Sequence, residues 1–209
     1  PRSTLFPYTT LFRSGHGSIF NLAVSSVEEA AQVTHQMIDK GVDLIKLIAT
    51  GGVTDAKTPD EAGKPQLSVE IMKEVCDIAH SHGLKVAAHC QSQKGVWNCI
   101  EAGVDSIEHG ADYDLPLIEK MRANKISIVP TLSAPHAYAT HPISETGISL
   151  IALENSKRIQ FLINKGVAAV KNTRIIIGAG TDAGIPMVRH GDFAREITLF
   201  IELHGYTPM

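Results

Sequence analysis

The sequence predicts an α/β fold built on a parallel sheet, and two observations support this. Short apolar runs of strand length alternate along the chain with amphipathic segments of helical length, which is typical of parallel strands joined by right-handed helical crossovers. In addition, several of the apolar runs end on residues that can bind ligands. At 209 residues and 44% hydrophobic composition, the chain is long enough to bury a sizeable core.

The first 14 residues, PRSTLFPYTTLFRS, stand apart from this pattern. They fit neither helical nor strand periodicity, and their near-mirrored pattern resembles translated sequencing-adaptor sequence of the kind found at the edges of metagenomic fragments. We therefore expect residues 1–14 to be a non-native tail that takes no part in the fold. Residues 15–209 are expected to form the only domain.

The first helices and the first strand have clear end signals. Ser26 and Glu29 form a capping box that predicts a helix through residue 40. An apolar run at residues 42–49 predicts a strand, and a polar loop follows it. Ser68 then predicts a helix to about residue 82.

The stretch 84–110 is expected to organise the rest of the chain. It reads as a strand ending in His89, a helix over residues 92–102 and a strand ending in His109. Because parallel strands end on one rim, the two histidines are expected to lie side by side.

The remaining elements repeat the alternation. A helix is predicted at 115–124, a strand at 126–130, a long helix at 149–171, a strand at 174–179 and a last helix at 192–204. The loop 131–146, which joins the strand at 126–130 to the long helix, is long enough to act as a substrate lid. The five predicted strands are too few to close an eight-stranded barrel, which takes about 250 residues. The sheet is therefore either open or part of a barrel.

Composition limits the partners of the chain. The formal net charge is -3 and the pI is near 6.4, with no run of Lys or Arg, so neither nucleic acid nor a membrane is expected as a partner. A small-molecule substrate fits better, and a homo-oligomer is left open. Cys76, Cys90 and Cys99 lack zinc-finger spacing and are expected to be buried hydrophobes. A cytoplasmic location is expected, with a secretion signal ahead of the chain as the open alternative.

Four residues at or near strand ends are candidates for one metal site. They are Lys46, His89, His109 and Asp182. Ligands from successive parallel strands converge on one rim, so the four together are more informative than any one alone. A lysine within an apolar strand is costly unless it is paired or modified. It is therefore a Schiff-base former, a partner for a buried carboxylate, or a lysine carboxylated by carbon dioxide.

The motifs around these residues resemble the amidohydrolase superfamily, and within it the imidazolonepropionase-like branch that includes Xaa-Pro and Xaa-Arg dipeptidases. The spacing of 43, 20 and 73 residues between the four candidates is similar to that of the family. The matching motifs are GHG at 15–17, IKLIATGGV at 45–53, AAHC at 87–90, SIEHG at 106–110, VPTLSA at 129–134 and GTDAG at 180–184.

The resemblance implies a partial (β/α)8 TIM barrel and assigns roles to single residues. Lys46 resembles a carboxylated lysine that bridges two divalent metal ions, and His89 and His109 resemble metal ligands. Asp182 resembles a metal ligand that is also the catalytic base, and His16 resembles a loop histidine of the substrate pocket. Independently of the resemblance, Tyr113 is a candidate for binding a substrate carboxylate, with a surface loop tyrosine as the equal alternative.

The chain also departs from the family. The family carries a His-x-His pair on its first strand, whereas the nearest triplet here, His80-Ser81-His82, lies at a predicted helix end. We therefore expect that the first strands and a C-terminal β-domain are missing and that the chain is a fragment.

The implied function is a metal-dependent hydrolase of amide bonds. The resemblance favours a dipeptidase or a related cyclic-amide hydrolase that uses two divalent ions, with zinc expected, and a metal-bridged hydroxide. Two alternatives stay open: an aldolase-like barrel with Lys46 as Schiff-base lysine, and a catalytically inert remnant or binding module.

Overall fold

The computed structural model describes residues 10–12, 22–54 and 56–207, and within them the chain forms an α/β fold around one parallel sheet. The sheet has six strands in the order β2-β1-β3-β4-β5-β6, and every neighbouring pair is parallel. The strands are β1 Thr10–Phe12, β2 Leu22–Ala23, β3 Leu44–Ile48, β4 Lys85–Cys90, β5 Ser106–His109 and β6 Ser127–Val129. The predicted fold class is confirmed.

Helices follow most of the strands, and apart from α5 and α6 their N-termini lie close to where the sequence predicts them. They are α1 Val27–Asp39, α2 Val69–Ser81, α3 Gln93–Ala102, α4 Leu115–Ala123, α5 Ser133–Thr140, α6 Ile143–Thr146, α7 Leu150–Val170 and α8 Phe193–His204. Ser26 Oγ accepts a hydrogen bond from Glu29 N at 3.2 Å, as the capping box predicts. The Glu29 carboxylate accepts from Ser25 N at 2.8 Å, so the second half of the box is displaced by one residue. None of the helices in the described ranges combines the length and the apolar character that crossing a bilayer requires.

The two faces of the sheet differ in chemistry. One face is apolar and buried beneath α1 to α4, through side chains such as Ile45, Val86 and Ile107. The opposite face carries Lys46 and, on the next two strands, His89 and Glu108, which are in register with each other. Because side chains alternate along a strand, this polar face is one continuous surface that leads to the carboxyl ends of the strands. The sheet therefore separates a structural core from a candidate site.

Three of the residues expected to take no part in the fold belong to the sheet. Thr10–Phe12 form β1 between β2 and β3, and Leu11 is fully buried opposite Leu47. These three residues thus take part in the fold, whereas the rest of the segment lies outside the described residues. A three-residue strand is too short to show periodicity, and it is recognisable only from the strands that pair with it.

Two further predictions differ from the structure. The expected lid loop at 131–146 contains α5 and α6. The strand predicted at 174–179 forms a single parallel bridge between Ile177 and Ile128, supported by a 2.8 Å hydrogen bond from Gly178 N to Ile128 O. Arg174 has a φ of +66°, outside the range of a regular strand, so no strand begins at that residue.

A charged cluster lies where β4 and β5 begin. The Asp105 carboxylate accepts hydrogen bonds from Lys85 Nζ at 2.6 Å and from Val86 N at 2.9 Å, and His80 Nε2 lies 2.8 Å away. Burial raises the pKa of Asp105, but the bonds from Lys85 and His80 outweigh burial and hold the pKa below its usual range. The cluster joins α2, β4 and the start of β5.

We expect Asp105→Asn to destabilise the fold by about 1–2 kcal/mol at pH 7, because it removes charge-assisted hydrogen bonds. Since the folded-state pKa is lowered, this contribution is present above the unfolded value of about 3.9 and is lost as the pH falls below it. Urea unfolding at pH 7 and pH 3 measures both effects. Asp77→Asn is the matched control, because Asp77 forms an exposed pair with Lys73 that contributes at most about 0.5 kcal/mol. Equal losses for the two variants would contradict the prediction.

Candidate active site

The centre of the candidate site is a pair of histidines at the ends of β4 and β5. The rings of His89 and His109 lie 4.5 Å apart between centroids at an angle of 69°, and the residues are only 3% and 9% exposed. His109 is in register with Cys90, so regular alternation would place it on the face opposite His89. Its φ of +66° breaks the alternation and allows the two rings to meet. The predicted side-by-side placement is confirmed.

The backbone around this pair is strained. His109, Thr131 and Asp182 have φ values of +66°, +51° and +55°, a region that costs non-glycine residues about 1–3 kcal/mol each. For Thr131, which is β-branched, the conformation is a clear outlier. Its hydroxyl lies 2.6 Å from His109 Nδ1. His109 and Asp182 line the same cavity, and Thr131 contacts His109, so three strained residues at one place indicate a site in which side-chain direction matters more than local stability.

A cavity of about 70 Å³ lies beside the histidine pair. His89, His109 and Asp182 line it, so three of the four predicted ligands share one space. The rest of the lining is mainly apolar and comes from the loop after β3, from α5 and from α7: Val53, Ala134, Pro135, Tyr138, Ile159 and Ile163. The arrangement can bring an apolar group next to imidazole and carboxylate.

Lys46 lies on the polar face of the sheet, outside the lining of this cavity. Its Nζ is 3.8 Å from Glu108 Oε2, and Ser106 Oγ donates to the other oxygen of Glu108 at 3.1 Å. Desolvation lowers the pKa of Lys46 below its usual value, although the charges of Glu108 and Asp182 act in the opposite direction. Sequence reasoning did not single out Glu108. The alternation of side chains along β5 would have predicted that Glu108 lies on the same face of the sheet as Lys46.

The donors fit a divalent ion in kind. Two imidazoles and a carboxylate line one cavity, and the lowered pKa of Lys46 suits modification to an oxygen ligand. Among the residues that the structure describes, no three His, Cys, Asp or Glu side chains are close enough together to hold an ion by themselves. His89, His109 and Asp182 therefore do not form a complete coordination set by themselves.

The remaining two site predictions have different outcomes. Tyr113 does not line the cavity: it is 4% exposed and lies in the core, where its ring packs against Gly110 and Gly166. It is thus neither at the cavity nor on the surface, because the two glycines leave room for the ring beneath the end of β5. His16 lies outside the described residues.

Comparison with known proteins identifies the family of the chain and similar structures. The sequence profile of the amidohydrolase family matches residues 7–207. A putative prolidase from Bifidobacterium longum is 36% identical and superposes with a TM-score of 0.85, covering 95% of this chain and 49% of that one. A Xaa-Pro dipeptidase with methionine bound in its active site is 29% identical with a TM-score of 0.75, covering 87% of this chain and 44% of that one.

The chain is also similar to a protein that is named neither prolidase nor dipeptidase. The ochratoxinase of Aspergillus niger is 29% identical over 189 residues, which cover 88% of this chain and 36% of the relative. The chain thus spans about half or less of the length of the proteins that it resembles.

Proposed function

Because the chain belongs to the amidohydrolase family, we propose that the protein containing it is a metal-dependent hydrolase of amide bonds, acting on dipeptides of the Xaa-Pro type or on related cyclic amides. One observation carries the proposal: His89 and His109 meet at the ends of adjacent strands, in the cavity that Asp182 also lines. The similarity to a putative prolidase and to a Xaa-Pro dipeptidase supports the choice of dipeptides.

Four residues would hold the metal: Lys46, His89, His109 and Asp182. Divalent ions supply Lewis acidity to the scissile carbonyl and to the attacking water. Thr131 engages Nδ1 of His109, so His109 would bind through Nε2, with its ring orientation fixed by the hydroxyl. Imidazole-rich donor sets favour zinc among the available divalent ions.

The burial of Lys46 favours the form of the amine that carboxylation requires. Only the neutral amine reacts with carbon dioxide, and burial lowers the pKa of Lys46 and so favours that form. The resulting carbamate would be an anion close to the Glu108 carboxylate, now 3.8 Å from Nζ. Like charges at this distance repel, so the modification is expected to persist only while cations are bound beside it.

Asp182 and the apolar lining would act on the substrate. Asp182 accepts a proton from the attacking water and later returns it to the leaving amine. The cavity of about 70 Å³ is small beside the roughly 300 Å³ or more of typical ligand sites. We therefore propose that it holds one apolar side chain or ring, against Val53 and Ile163, and that the rest of the dipeptide lies outside it.

The test is an assay of the protein that contains this chain, loaded with Zn²⁺ in bicarbonate buffer. We expect hydrolysis of Met-Pro and Leu-Pro, slower cleavage of Asp-Pro because the cavity is apolar, and loss of activity on chelation with recovery on added Zn²⁺. N-acyl amino acids and a cyclic imide complete the panel. A folded, metal-reloaded protein that cleaves no amide in the panel would refute the proposal.

A further inference from the structure

A buried carboxylate lies one layer away from the candidate active site. Glu196, in the first turn of α8, has 0% exposure. It accepts hydrogen bonds from Leu132 N and Ser133 N, both at 2.8 Å, and from Ser133 Oγ at 2.7 Å. Burial raises its pKa, and the bonds from Ser133 and Leu132 act in the opposite direction. This residue is more than 60 positions from its partners, and none of the roles above uses it.

The donors mark the start of α5. Leu132 is the N-cap residue of α5, and its own side chain makes no capping bond. The first amides of a helix have no partner within the helix, so the Glu196 carboxylate serves as the cap from another element. A buried carboxylate that lost one of these donors would be costly, which holds the backbone of residues 132–133 tightly.

The same two amides directly follow Thr131. Thr131 has a φ of +51°, a conformation that a β-branched residue keeps only when its surroundings enforce it. Its hydroxyl lies 2.6 Å from His109 Nδ1. Glu196 therefore fixes the two peptide units that follow the strained residue, and the strained residue sets the direction of the His109 ring.

We propose that Glu196 is a positioning residue for the candidate active site: by clamping the backbone after Thr131, it holds the Thr131 hydroxyl in place to orient His109. The expected consequence for metal binding rests on the proposed function. The expected consequence for the His109 ring does not, because it follows from the 2.6 Å contact between the Thr131 hydroxyl and His109 Nδ1 alone.

The first experiment uses ¹⁵N-histidine NMR on the metal-free protein, which reports the tautomer and hydrogen bonding of His109. In Glu196→Gln, an NH₂ group replaces one carboxylate oxygen, so a hydrogen-bond donor faces the donors that Glu196 now binds. We expect the Nδ1 signal of His109 to move towards its position in Thr131→Val, where the hydroxyl is absent. Glu202→Gln is the matched control, since Glu202 lies on the same helix and pairs with Arg195 at the surface.

A double-mutant cycle separates positioning from mere stabilisation. If Glu196 acts through Thr131, adding Glu196→Gln to Thr131→Val leaves the His109 signal unchanged, whereas the loss of stability in urea still increases. In the wild-type background, we expect Glu196→Gln to lower Zn²⁺ affinity by about tenfold, the low end of the effect of removing an outer partner of a ligand.

A milder variant serves if Glu196→Gln fails to fold. Ser133→Ala removes one of the three bonds to Glu196 and leaves both backbone amides, so a smaller shift of His109 in the same direction is expected. A His109 signal in Ser133→Ala and Glu196→Gln that matches the Glu202→Gln control, with stability lowered, would overturn the proposal and leave Glu196 as a helix cap only. If His109 shifts but no amide is hydrolysed by the wild type, the proposed function fails and the positioning role stands.

Discussion

Asp182→Asn is expected to lower kcat for Met-Pro hydrolysis by about 10²–10⁴-fold, the usual contribution of a general base. Asparagine keeps the shape of the side chain but cannot accept the proton of the attacking water. The substitution is also mild for the backbone: Asp182 has a φ of +55°, and asparagine is among the residues that tolerate this region. Stability in urea should therefore change little.

Two controls make this result specific. Asp192→Asn changes an exposed aspartate at the start of α8 that makes no side-chain capping bond, and it should leave kcat unchanged. Metal content, measured by elemental analysis, shows how much of the loss in Asp182→Asn comes from a lost ligand. A kcat within threefold of wild type, at full metal content, would remove Asp182 from the role of base.

The sequence was sufficient for features that depend on neighbouring residues. Ser26 and Ser68 cap α1 and α2 as predicted. The strands ending in His89 and His109 begin and end close to their predicted limits. The adjacency of the two histidines also followed, because parallel strands end on one rim.

The features that were missed depend on distant parts of the chain. β1 is stable only through its pairing with β2 and β3, and α5 begins with amides that Glu196 caps from 63 and 64 residues away. Thr131 contacts His109 across 22 residues. Such contacts follow from strand register and helix packing rather than from local periodicity. The burial of Tyr113 was missed for the same reason, since Gly166 on α7 forms part of the space for its ring.

Replacing Lys46 is expected to have the second large effect on activity. Lys46→Ala should reduce both metal content and turnover, and by more than the roughly 10–100-fold that the loss of an outer-shell partner causes, because a ligand itself is removed. The variant also leaves the Glu108 carboxylate without the ammonium that now lies 3.8 Å away. Glu108→Gln is therefore the matched control: it removes the ion pair but keeps the lysine, so a much smaller loss of metal is expected.

Chemical rescue of Lys46→Ala distinguishes the two chemistries open to this lysine. A carbamate acts as a two-oxygen anion, so a short carboxylate such as propionate should enter the space left by the side chain and restore part of the metal content and activity. A Schiff-base lysine acts through its nitrogen, so propylamine should rescue instead, and borohydride should trap the wild-type lysine on a carbonyl substrate.

Burial lowers the pKa of Lys46, which favours the neutral amine that both chemistries need, so the pKa alone does not choose between them. We expect rescue by propionate, no rescue by propylamine and no borohydride trapping. Rescue by the amine alone, or normal metal content in Lys46→Ala, would rule out the carbamate and with it the metal-binding role proposed for Lys46.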